Sequence, residues 1–202
     1  MPEPELREKD VDPDPLRQFG VWFQEARAAL AAPEAMALAT ATTEGRPSLR
    51  MVLMKEYDER GFVFYTNYES RKGLELSDNP QAALLFYWEG LGRQVRIEGG
   101  ATRTTAEESA AYVRTRPRSS QLSALASPQS RPVESRAALE RRVAQIAGRH
   151  EVSELPLPAA WGGFRLVPER YEFWQQRQDR LHDRLLYTPG IDGAWTLARL
   201  AP

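Results

Sequence analysis

Residues 35–66 read AMALATATTEGRPSLRMVLMKEYDERGFVFYT, and this stretch decides the fold class. Strand-like runs rich in apolar and β-branched residues lie within it at 35–42, 47–57 and 61–66. Glu-Gly-Arg-Pro and Asp-Glu-Arg-Gly, both sequences typical of turns, separate these runs. Strands joined by such short connections pair antiparallel. The stretch therefore predicts part of an antiparallel sheet.

Elements outside this stretch extend the pattern. Asp14 and Pro15 form a helix start, and apolar residues at helical spacing follow as far as Leu30. A short helix is predicted at 70–76, and residues 105–149 are helical in pieces broken at prolines 117, 128 and 132. Further strand-like runs occupy 80–88, 93–104, 163–167, 171–175, 184–187 and 194–200. The chain is predicted to be mainly β with α (α+β), an antiparallel β-barrel with helices packed outside.

The length of 202 residues fits a single domain. Residues 1–13 are polar and proline-rich, which predicts a mobile N-terminal arm. Residues 14–202 are predicted to form the domain, with 105–149 as a helical insert.

Composition excludes several classes of site. The chain has no cysteine, so it has no disulfide, thiolate nucleophile or cysteine-ligated metal. His150 and His182 are too distant in sequence to form a multi-histidine site, and no metal is predicted. The longest apolar run, 82–88, is too short to span a bilayer, and no signal peptide is visible. A soluble, cytoplasmic protein without a membrane partner is expected.

The charge pattern leaves one alternative open. The net charge of -1 argues against a surface devoted to polyanions. Residues 112–149, however, carry 8 arginines against Glu134 and Glu140, which is compatible with nucleic-acid binding. A solvated helical face is the favoured interpretation, and no nucleic-acid partner is predicted.

No P-loop, dinucleotide fingerprint or serine nucleophile elbow is present, but cations occur where an isolated cation is unfavourable. A strand ends and a helix begins at 67–73. If Ser70 caps this helix, Arg71 and Lys72 fall in its first turn, where the dipole disfavours cations and favours a bound phosphate. If Asn67 is the cap, Glu69 satisfies the dipole and the cations are solvated. Both interpretations remain open.

Period-two alternation places Arg50 on the face of Val52 and Met54, opposite Lys55. An arginine that shares a buried face needs a partner, although an arginine at a strand end is usually exposed.

Two further groups have the same ambiguity. Tyr112 and Arg116 share a helical face and, with Ser120, form a candidate phosphate cup or ordinary helix decoration. In extended chain, Arg180, His182 and Arg184 point the same way, which requires an anion or an aromatic ring over them. A single histidine such as His182 is more often structural than catalytic.

Together these segments resemble the pyridoxamine 5′-phosphate oxidase family over nearly the whole chain, from Asp14 to Pro202. The matching motifs are Arg50-Met-Val-Leu-Met-Lys55, Phe64-Tyr-Thr-Asn67, Ser70-Arg-Lys72, Arg93-Gln94, Arg116-Pro-Arg118 with Ser120-Gln121, Gln129-Ser130, Trp161-Gly-Gly-Phe164, Glu172-Phe-Trp-Gln175 and Arg180-Leu-His-Asp-Arg184. So many motifs in one order are far more specific than any one of them.

The resemblance implies a split β-barrel homodimer that holds FMN at the subunit interface. It implies FMN contacts from Arg50, Met51, Val52, Leu53, Met54, Lys55, Tyr65, Thr66, Arg71, Lys72, Gln94, Gln129, Ser130, Trp174 and Arg184. It implies that the substrate phosphate is held by Lys55, Tyr112, Arg116 and Ser120, and that Arg180 and His182 contact the substrate ring.

The implied reaction passes a hydride from C4′ of pyridoxamine or pyridoxine 5′-phosphate to the flavin, and dioxygen reoxidises the flavin to give hydrogen peroxide. In such an enzyme the cofactor carries the chemistry while the protein supplies orientation and charge. Arg180 is expected to position the ring, and His182 to orient and tune it.

The chain departs from the family pattern in three places. The arm is short and lacks an Arg-Arg-Glu-Tyr-like segment, Ala32 replaces an expected acidic residue, and Gln176-Arg177 replaces expected glycine. A phenazine-type oxidase of tricyclic substrates and a flavin- or pyridoxal-phosphate-binding protein without turnover are therefore the alternatives.

Overall fold

The computed structural model describes residues 5–150, 154–191 and 193–202. Its helices are α1 (Pro15–Ala29), α2 (Arg71–Asp78), α3 (Ala106–Thr115), α4 (Arg118–Ala126) and α5 (Arg136–Arg149). Its strands are β1 (Ala35–Ala41), β2 (Pro47–Leu53), β3 (Glu56–Asp58), β4 (Gly61–Asn67), β5 (Gln81–Trp88), β6 (Arg93–Arg103), β7 (Trp161–Gln175), β8 (Asp183–Pro189) and β9 (Trp195–Arg199). One predicted strand is divided into two in the structure, and two predicted strands are merged into one. Every other predicted helix and strand has a counterpart.

The described strands form one antiparallel sheet in the order β2-β1-β5-β6-β7-β4-β3, and β8 and β9 continue from β7. The long strand β7 pairs with β6 over most of its length, with β4 near its start and with β8 near its end. A strand that changes partners along its length curls the sheet on itself. The result is a half-barrel with helices outside, which confirms the predicted antiparallel α+β architecture.

The merger concerns β7, for which the sequence predicts two strands, at 163–167 and 171–175. The structure has one strand because β6 stays paired with it across Pro168, with a bulge between Glu98 and Gly99. A Cβ on Gly99 would lie 2.0 Å from the Val167 carbonyl oxygen, so glycine allows this close approach.

The division concerns the predicted strand 47–57, which breaks after Leu53. The Met54 N–H donates to the Glu34 carbonyl at 2.9 Å, while the Lys55 N–H donates to the Val63 carbonyl at 2.8 Å. The chain thus leaves the side of β1 and joins β4 between two adjacent residues. This crossing carries Lys55 to the edge of the candidate site.

The core lies between α1 and the face of the sheet on which it packs. Asp14 caps α1 as predicted, accepting from the N–H groups of Leu16 and Arg17. Phe19 is fully buried, with its ring centroid 4.9 Å from that of Phe62 and 5.1 Å from that of Phe86. Aromatic burial of this kind stabilises the half-barrel and fixes the strands that carry the site.

The helical insert packs beside this core. Pro117 separates α3 from α4, as its position in the sequence predicts, and α5 has no buried residue. None of the helices in the described ranges is long and apolar enough to cross a membrane.

The N-terminal segment differs from the expectation of a mobile arm from Glu5 onward, while residues 1–4 lie outside the described part. Leu6 is buried, its N–H donates to Asp183 and its carbonyl accepts from Arg199. Glu8 binds the same Arg199 at 2.8 and 3.0 Å. These partners lie almost 200 residues away, which is why the local sequence does not reveal them.

Candidate functional site

A cavity of about 440 Å³ opens between β2, the end of β4, the start of α2 and the α3–α4 connection. It is lined by Arg50, Met51, Val52, Leu53, Lys55, Tyr65, Thr66, Lys72, Tyr112, Arg116, Pro117, Ser120, Gln129 and Trp161. We call these residues the cavity group. All four residues predicted to hold the substrate phosphate, and most of those predicted to hold FMN, belong to it.

Strand β2 places Arg50 as its alternation predicts. Arg50 and Val52 are half-buried, whereas Met51 and Leu53 are exposed. The partner that Arg50 requires is Glu75 of α2, whose carboxylate lies 3.3 Å from the guanidinium. Sequence reasoning did not single out Glu75, although its position four residues after Arg71 on a helix is a signal for an ion pair.

The start of α2 resolves the open question of its cap. Ser70 is the N-cap, and its hydroxyl accepts from the Gly73 N–H, so Arg71 and Lys72 lie in the first turn. Asn67 instead accepts from the Glu69 N–H just before the helix. The arrangement is the one that favours an anion at the helix start.

Lys72 is a buried cation whose contacts are with neutral oxygens. Its ammonium lies 3.1 Å from the Thr66 hydroxyl and 3.0 Å from the Gln129 side-chain oxygen. Across the described ranges, no carboxylate lies within ion-pair distance of it. Burial, with a smaller contribution from Arg50, lowers the pKa of Lys72 to about 8. A ligand anion beside Lys72 would supply the missing counter-charge.

An aromatic wall forms the opposite side of the cavity. The rings of Tyr65 and Tyr112 stack with centroids 3.8 Å apart, parallel to the indole of Trp161. Burial raises the pKa of Tyr65 to about 12 and also raises the pKa of Tyr112, so both phenols stay protonated near neutral pH. Both hydroxyls are therefore hydrogen-bond donors.

Arg116 lies over this wall. Its guanidinium carbon is 4.3 Å from the centre of the Trp161 ring. Its Nη1 atom is buried and has no hydrogen-bond partner among the residues that the structure describes. Stacking orients the guanidinium, and the unpartnered donor is available to an acceptor on a ligand.

Five further predicted contacts form a second group on β6, β7, β8 and the turn between β7 and β8, which we call the cross-strand group: Gln94, Trp174, His182, Arg184 and Arg180. Register aligns Gln94 with Trp174 and Trp174 with Arg184. The His182 ring lies 4.6 Å from the Trp174 ring. Arg180 is exposed, in a turn where its φ is +60°.

Arg184 of the cross-strand group is held within the chain. It donates to the buried carboxylate of Glu172 and to the Ala201 carbonyl, each at 2.8 Å. A larger cavity of about 690 Å³ adjoins the 176–183 turn, but it does not contain the cations of the first cavity.

Three predicted FMN contacts lie in neither group. Met54 is buried in the core, Ser130 is exposed with a φ of +69°, and Arg71 binds Glu75 at 2.9 Å. Conversely, Trp161 and Pro117 line the cavity without having been predicted as contacts. Trp161 starts a motif of the resemblance, and that was its signal in the sequence.

Known proteins with related sequences cover nearly the whole chain. Residues 23–150 match the family model described as pyridoxamine 5′-phosphate oxidase. Residues 161–202 match the model described as pyridoxine 5′-phosphate oxidase C-terminal dimerisation region. A protein of Rubrobacter xylanophilus named pyridoxine/pyridoxamine 5′-phosphate oxidase is 61% identical, over 98% of this chain and 91% of its own. One of the same name from Trichormus variabilis is 52% identical, over 98% and 92%.

Solved structures share the fold. PhzG from Burkholderia lata, determined in complex with tetrahydrophenazine-1-carboxylic acid, superimposes with a TM-score of 0.91 and 34% identity over 98% of both chains. A pyridoxamine 5′-phosphate oxidase-related, FMN binding protein from Nostoc punctiforme superimposes with a TM-score of 0.74 and 18% identity, over 94% of this chain and 98% of its own.

Proposed function

This chain belongs to the pyridoxamine 5′-phosphate oxidase family, and we propose that it oxidises pyridoxamine and pyridoxine 5′-phosphates to pyridoxal 5′-phosphate with dioxygen as acceptor. These matches confirm the family that the sequence motifs predicted. They also confirm the split-barrel fold and the class of enzyme, an FMN-dependent oxidase. Each turnover consumes one dioxygen and forms one hydrogen peroxide, and the amine substrate also takes up water and releases ammonia.

The observation that carries the proposal is a pair of cations without counter-ions in one cavity. Lys72 is buried among neutral oxygens, and the buried Nη1 of Arg116 has no acceptor. Lys72 has hydrogen-bond acceptors but no counter-charge, whereas the unsatisfied donor of Arg116 costs free energy of the order of 1–3 kcal/mol. Two phosphate groups, one on the cofactor and one on the substrate, match these two positions.

The proposed FMN contacts divide between the two groups. From the cavity side they are Arg50, Met51, Val52, Leu53, Lys55, Tyr65, Thr66, Lys72 and Gln129, with Met54, Arg71 and Ser130 nearby. From the cross-strand side they are Gln94, Trp174 and Arg184. The cation-rich start of α2 suits the phosphate, because backbone N–H groups and Lys72 converge there.

A homodimer brings the two groups together in this proposal. Trp161 lines the cavity and Trp174 belongs to the cross-strand group, yet they lie 13 residues apart on β7, or roughly 40 Å of extended strand. Residues 161–202 match the dimerisation region, which supports a second copy as the partner. The cross-strand group of one copy would then face the cavity of the other, covering the exposed Met51 and Leu53.

The substrate phosphate is assigned to Lys55, Tyr112, Arg116 and Ser120. The orphan donor of Arg116 and the protonated hydroxyl of Tyr112 provide charge-assisted and neutral hydrogen bonds to phosphate oxygens. Lys55 lies at the chain crossing after β2, where it is exposed to the cavity mouth.

Bound FMN would supply the acceptor for the hydride that leaves C4′ of the substrate, and it would pass the electrons on to dioxygen. The protein positions the substrate, and Arg180 and His182 are assigned to its ring. The His182 Nδ1 accepts from the Arg177 N–H at 3.1 Å, so a neutral His182 carries its proton on Nε2. That tautomer offers a donor to the substrate and suits orientation rather than proton removal.

The test is to purify the full chain, record its visible spectrum and add pyridoxamine 5′-phosphate or pyridoxine 5′-phosphate, the two vitamer phosphates, under air. A yellow protein that consumes oxygen and forms pyridoxal 5′-phosphate is expected. A yellow protein without turnover would favour a binding protein, and a colourless protein that takes up no FMN would overturn the proposal.

Oxidation of a tricyclic substrate is the second candidate, because PhzG covers the chain at 34% identity. A reduced phenazine carboxylic acid, which has no phosphate, distinguishes the two. Preference for the vitamer phosphates is expected, since Tyr112, Arg116 and Ser120 provide phosphate contacts that the tricyclic acid does not need. Faster turnover of the tricyclic acid would reverse the assignment.

A further inference from the structure

Glu75 is a buried carboxylate at the centre of a cluster of donors. It lies on the inner face of α2 and is 6% exposed. The cluster that it accepts from comprises the hydroxyls of Thr40 and Ser48 and the guanidinium groups of Arg50 and Arg71. Burial alone would raise the pKa of Glu75, but hydrogen bonds from Ser48, Thr40 and Arg71 outweigh it and lower the pKa to about 2. Glu75 is therefore charged at any working pH.

The two arginines reach Glu75 from different elements. Arg50 comes from β2 and binds one carboxylate oxygen, Oε2, at 3.3 Å, while Arg71 comes from α2 and binds the other, Oε1, at 2.9 Å. Arg50 is further held by the Leu38 carbonyl and by Thr40. One carboxylate thus fixes the relative position of two guanidinium groups, one carried by a strand and the other by a helix.

The neighbouring charges show why such a fixing group is needed. Lys72 follows Arg71 in the chain, and the charge of Arg50 contributes to the lowered pKa of Lys72. Three cations around one helix start repel one another, and the side chain of Arg71, which is 62% exposed, could turn into solvent if Glu75 did not bind it. A carboxylate beneath them holds two of the three in place before any ligand arrives.

We propose that Glu75 is a positioning residue, which holds Arg50 and Arg71 ready for the phosphate group of FMN. This inference rests on the proposed function, since FMN is taken as the ligand. Glu75 itself does not line the cavity, so it acts through the two arginines. Preorganised donors bind an anion more tightly because less side-chain freedom is lost on binding.

The experiment compares FMN with riboflavin, which lacks the phosphate. Glu75→Gln keeps the shape of the side chain and removes its charge. Binding of each flavin to the full chain, freed of flavin, is measured by quenching of flavin fluorescence. We expect the Kd for FMN to rise by about tenfold and the Kd for riboflavin to change by less than about twofold. A purely structural loss would weaken both flavins equally and would overturn the proposal.

If Glu75 acted only through its charge, the Kd for FMN in Glu75→Gln would change in the opposite direction. The direction of the change therefore decides between the two roles. Removing a negative charge near the phosphate would strengthen FMN binding if Glu75 acted only through its field. A lower Kd for FMN in Glu75→Gln would therefore also overturn the proposal. Glu75→Asp keeps the charge but shortens the reach, so positioning predicts a Kd between those of wild type and Glu75→Gln, whereas a wild-type Kd contradicts it.

Asp78→Asn is the matched control, because it removes a carboxylate from an exposed position of the same helix. Its flavin affinities should equal those of the wild type, and a change as large as that of Glu75→Gln would refute a specific role for Glu75. The flavin affinities of the wild type distinguish a failure of the proposed function from a failure of the role proposed for Glu75. If it binds FMN no better than riboflavin, the assignment of the FMN phosphate fails; if it discriminates and Glu75→Gln discriminates equally well, the role of Glu75 fails.

Discussion

Arg184 of the cross-strand group and Arg116 of the cavity group are held in contrasting ways. Arg184 of the cross-strand group donates to the buried carboxylate of Glu172 and to a backbone carbonyl. Arg116 of the cavity group stacks on Trp161 and keeps a buried donor without an acceptor. The chain has thus provided the acceptors of Arg184 and left Arg116 in need of one. Ligand charge is therefore expected at the cavity, and we propose that the cross-strand group of a second copy covers it.

The largest effect is expected from complementation between two defective variants. Arg116→Ala lies in the cavity group and Arg180→Ala in the cross-strand group, and at a substrate concentration near the wild-type KM each variant alone is expected to have little activity. If a site combines the two groups from different copies, each mixed dimer regains one intact site. Random mixing should then restore about a quarter of wild-type activity in an oxygen-consumption assay.

The control for complementation is a mixture of two cavity variants, Arg116→Ala and Lys55→Ala. Both defects then lie in the same half of the site, so activity should remain at the level of the separate variants. Failure of the first mixture to recover, with mixed dimers shown to form, would mean that both groups act within one copy.

Arg116→Ala by itself is expected to raise KM strongly. Loss of a charge-assisted hydrogen bond to phosphate costs about 1.5–3 kcal/mol, or roughly 10- to 150-fold in binding. Flavin content should stay normal, because Arg116 is assigned to the substrate. Arg114→Ala, at an exposed position of α3 just before Arg116, is the matched control and should leave KM unchanged. Steady-state kinetics with pyridoxamine 5′-phosphate give the result, and an unchanged KM for Arg116→Ala would remove it from the phosphate site.

The pH dependence of FMN binding tests whether the ammonium group of Lys72 attracts the FMN phosphate. The pKa of Lys72 is lowered to about 8, so the free protein loses this charge as the pH rises through 8, and with it the attraction for phosphate. The Kd for FMN should rise by up to about tenfold between roughly pH 7 and pH 9. Riboflavin should show no such dependence, and Lys72→Met should abolish it for FMN. A flat profile for wild-type FMN binding would place the phosphate away from Lys72.

The smallest expected effect is a difference in KM between removing the hydroxyl of Tyr112 and removing that of Tyr65, the two stacked phenols. Tyr112→Phe removes a hydroxyl assigned to the substrate phosphate, at a cost of about 0.5–1.5 kcal/mol, so KM should rise by roughly two- to tenfold. Tyr65→Phe keeps the same stacked pair, whose centroids are 3.8 Å apart, and should change KM by less than about twofold. Equal effects on KM would show that the hydroxyl of Tyr112 has no specific contact.

Local rules explain which features of the site could be predicted from the sequence. The face occupied by Arg50 follows from the alternation of a strand, and the start of α1 follows from Asp14 and Pro15. Even so, two caps for α2 remained open, because Asn67 and Ser70 both make local hydrogen bonds and only the packing of the helix selects Ser70. The resemblance named most of the cavity residues, yet not Glu75, which acts behind them.

Features that depend on neighbouring strands were predicted less well. The uninterrupted course of β7 past Pro168 depends on the bulge in β6, and the break after Leu53 depends on β4 replacing β1 as the partner. The N-terminal segment is likewise held by Asp183 and Arg199 at the far end of the chain. In each case the deciding hydrogen bond joins residues distant in sequence.

The kinds of side chain that are available, the strand faces that carry them and the family of the chain can all be read from the amino-acid sequence. Folding is needed to bring Lys72 and Arg116 into one cavity and to place Trp174 and Arg184 together on another part of the sheet. This is so because the direction of a side chain follows from the backbone next to it. Its neighbours follow instead from the order in which the strands pair, and that order is set by burial and hydrogen bonding across the whole sheet.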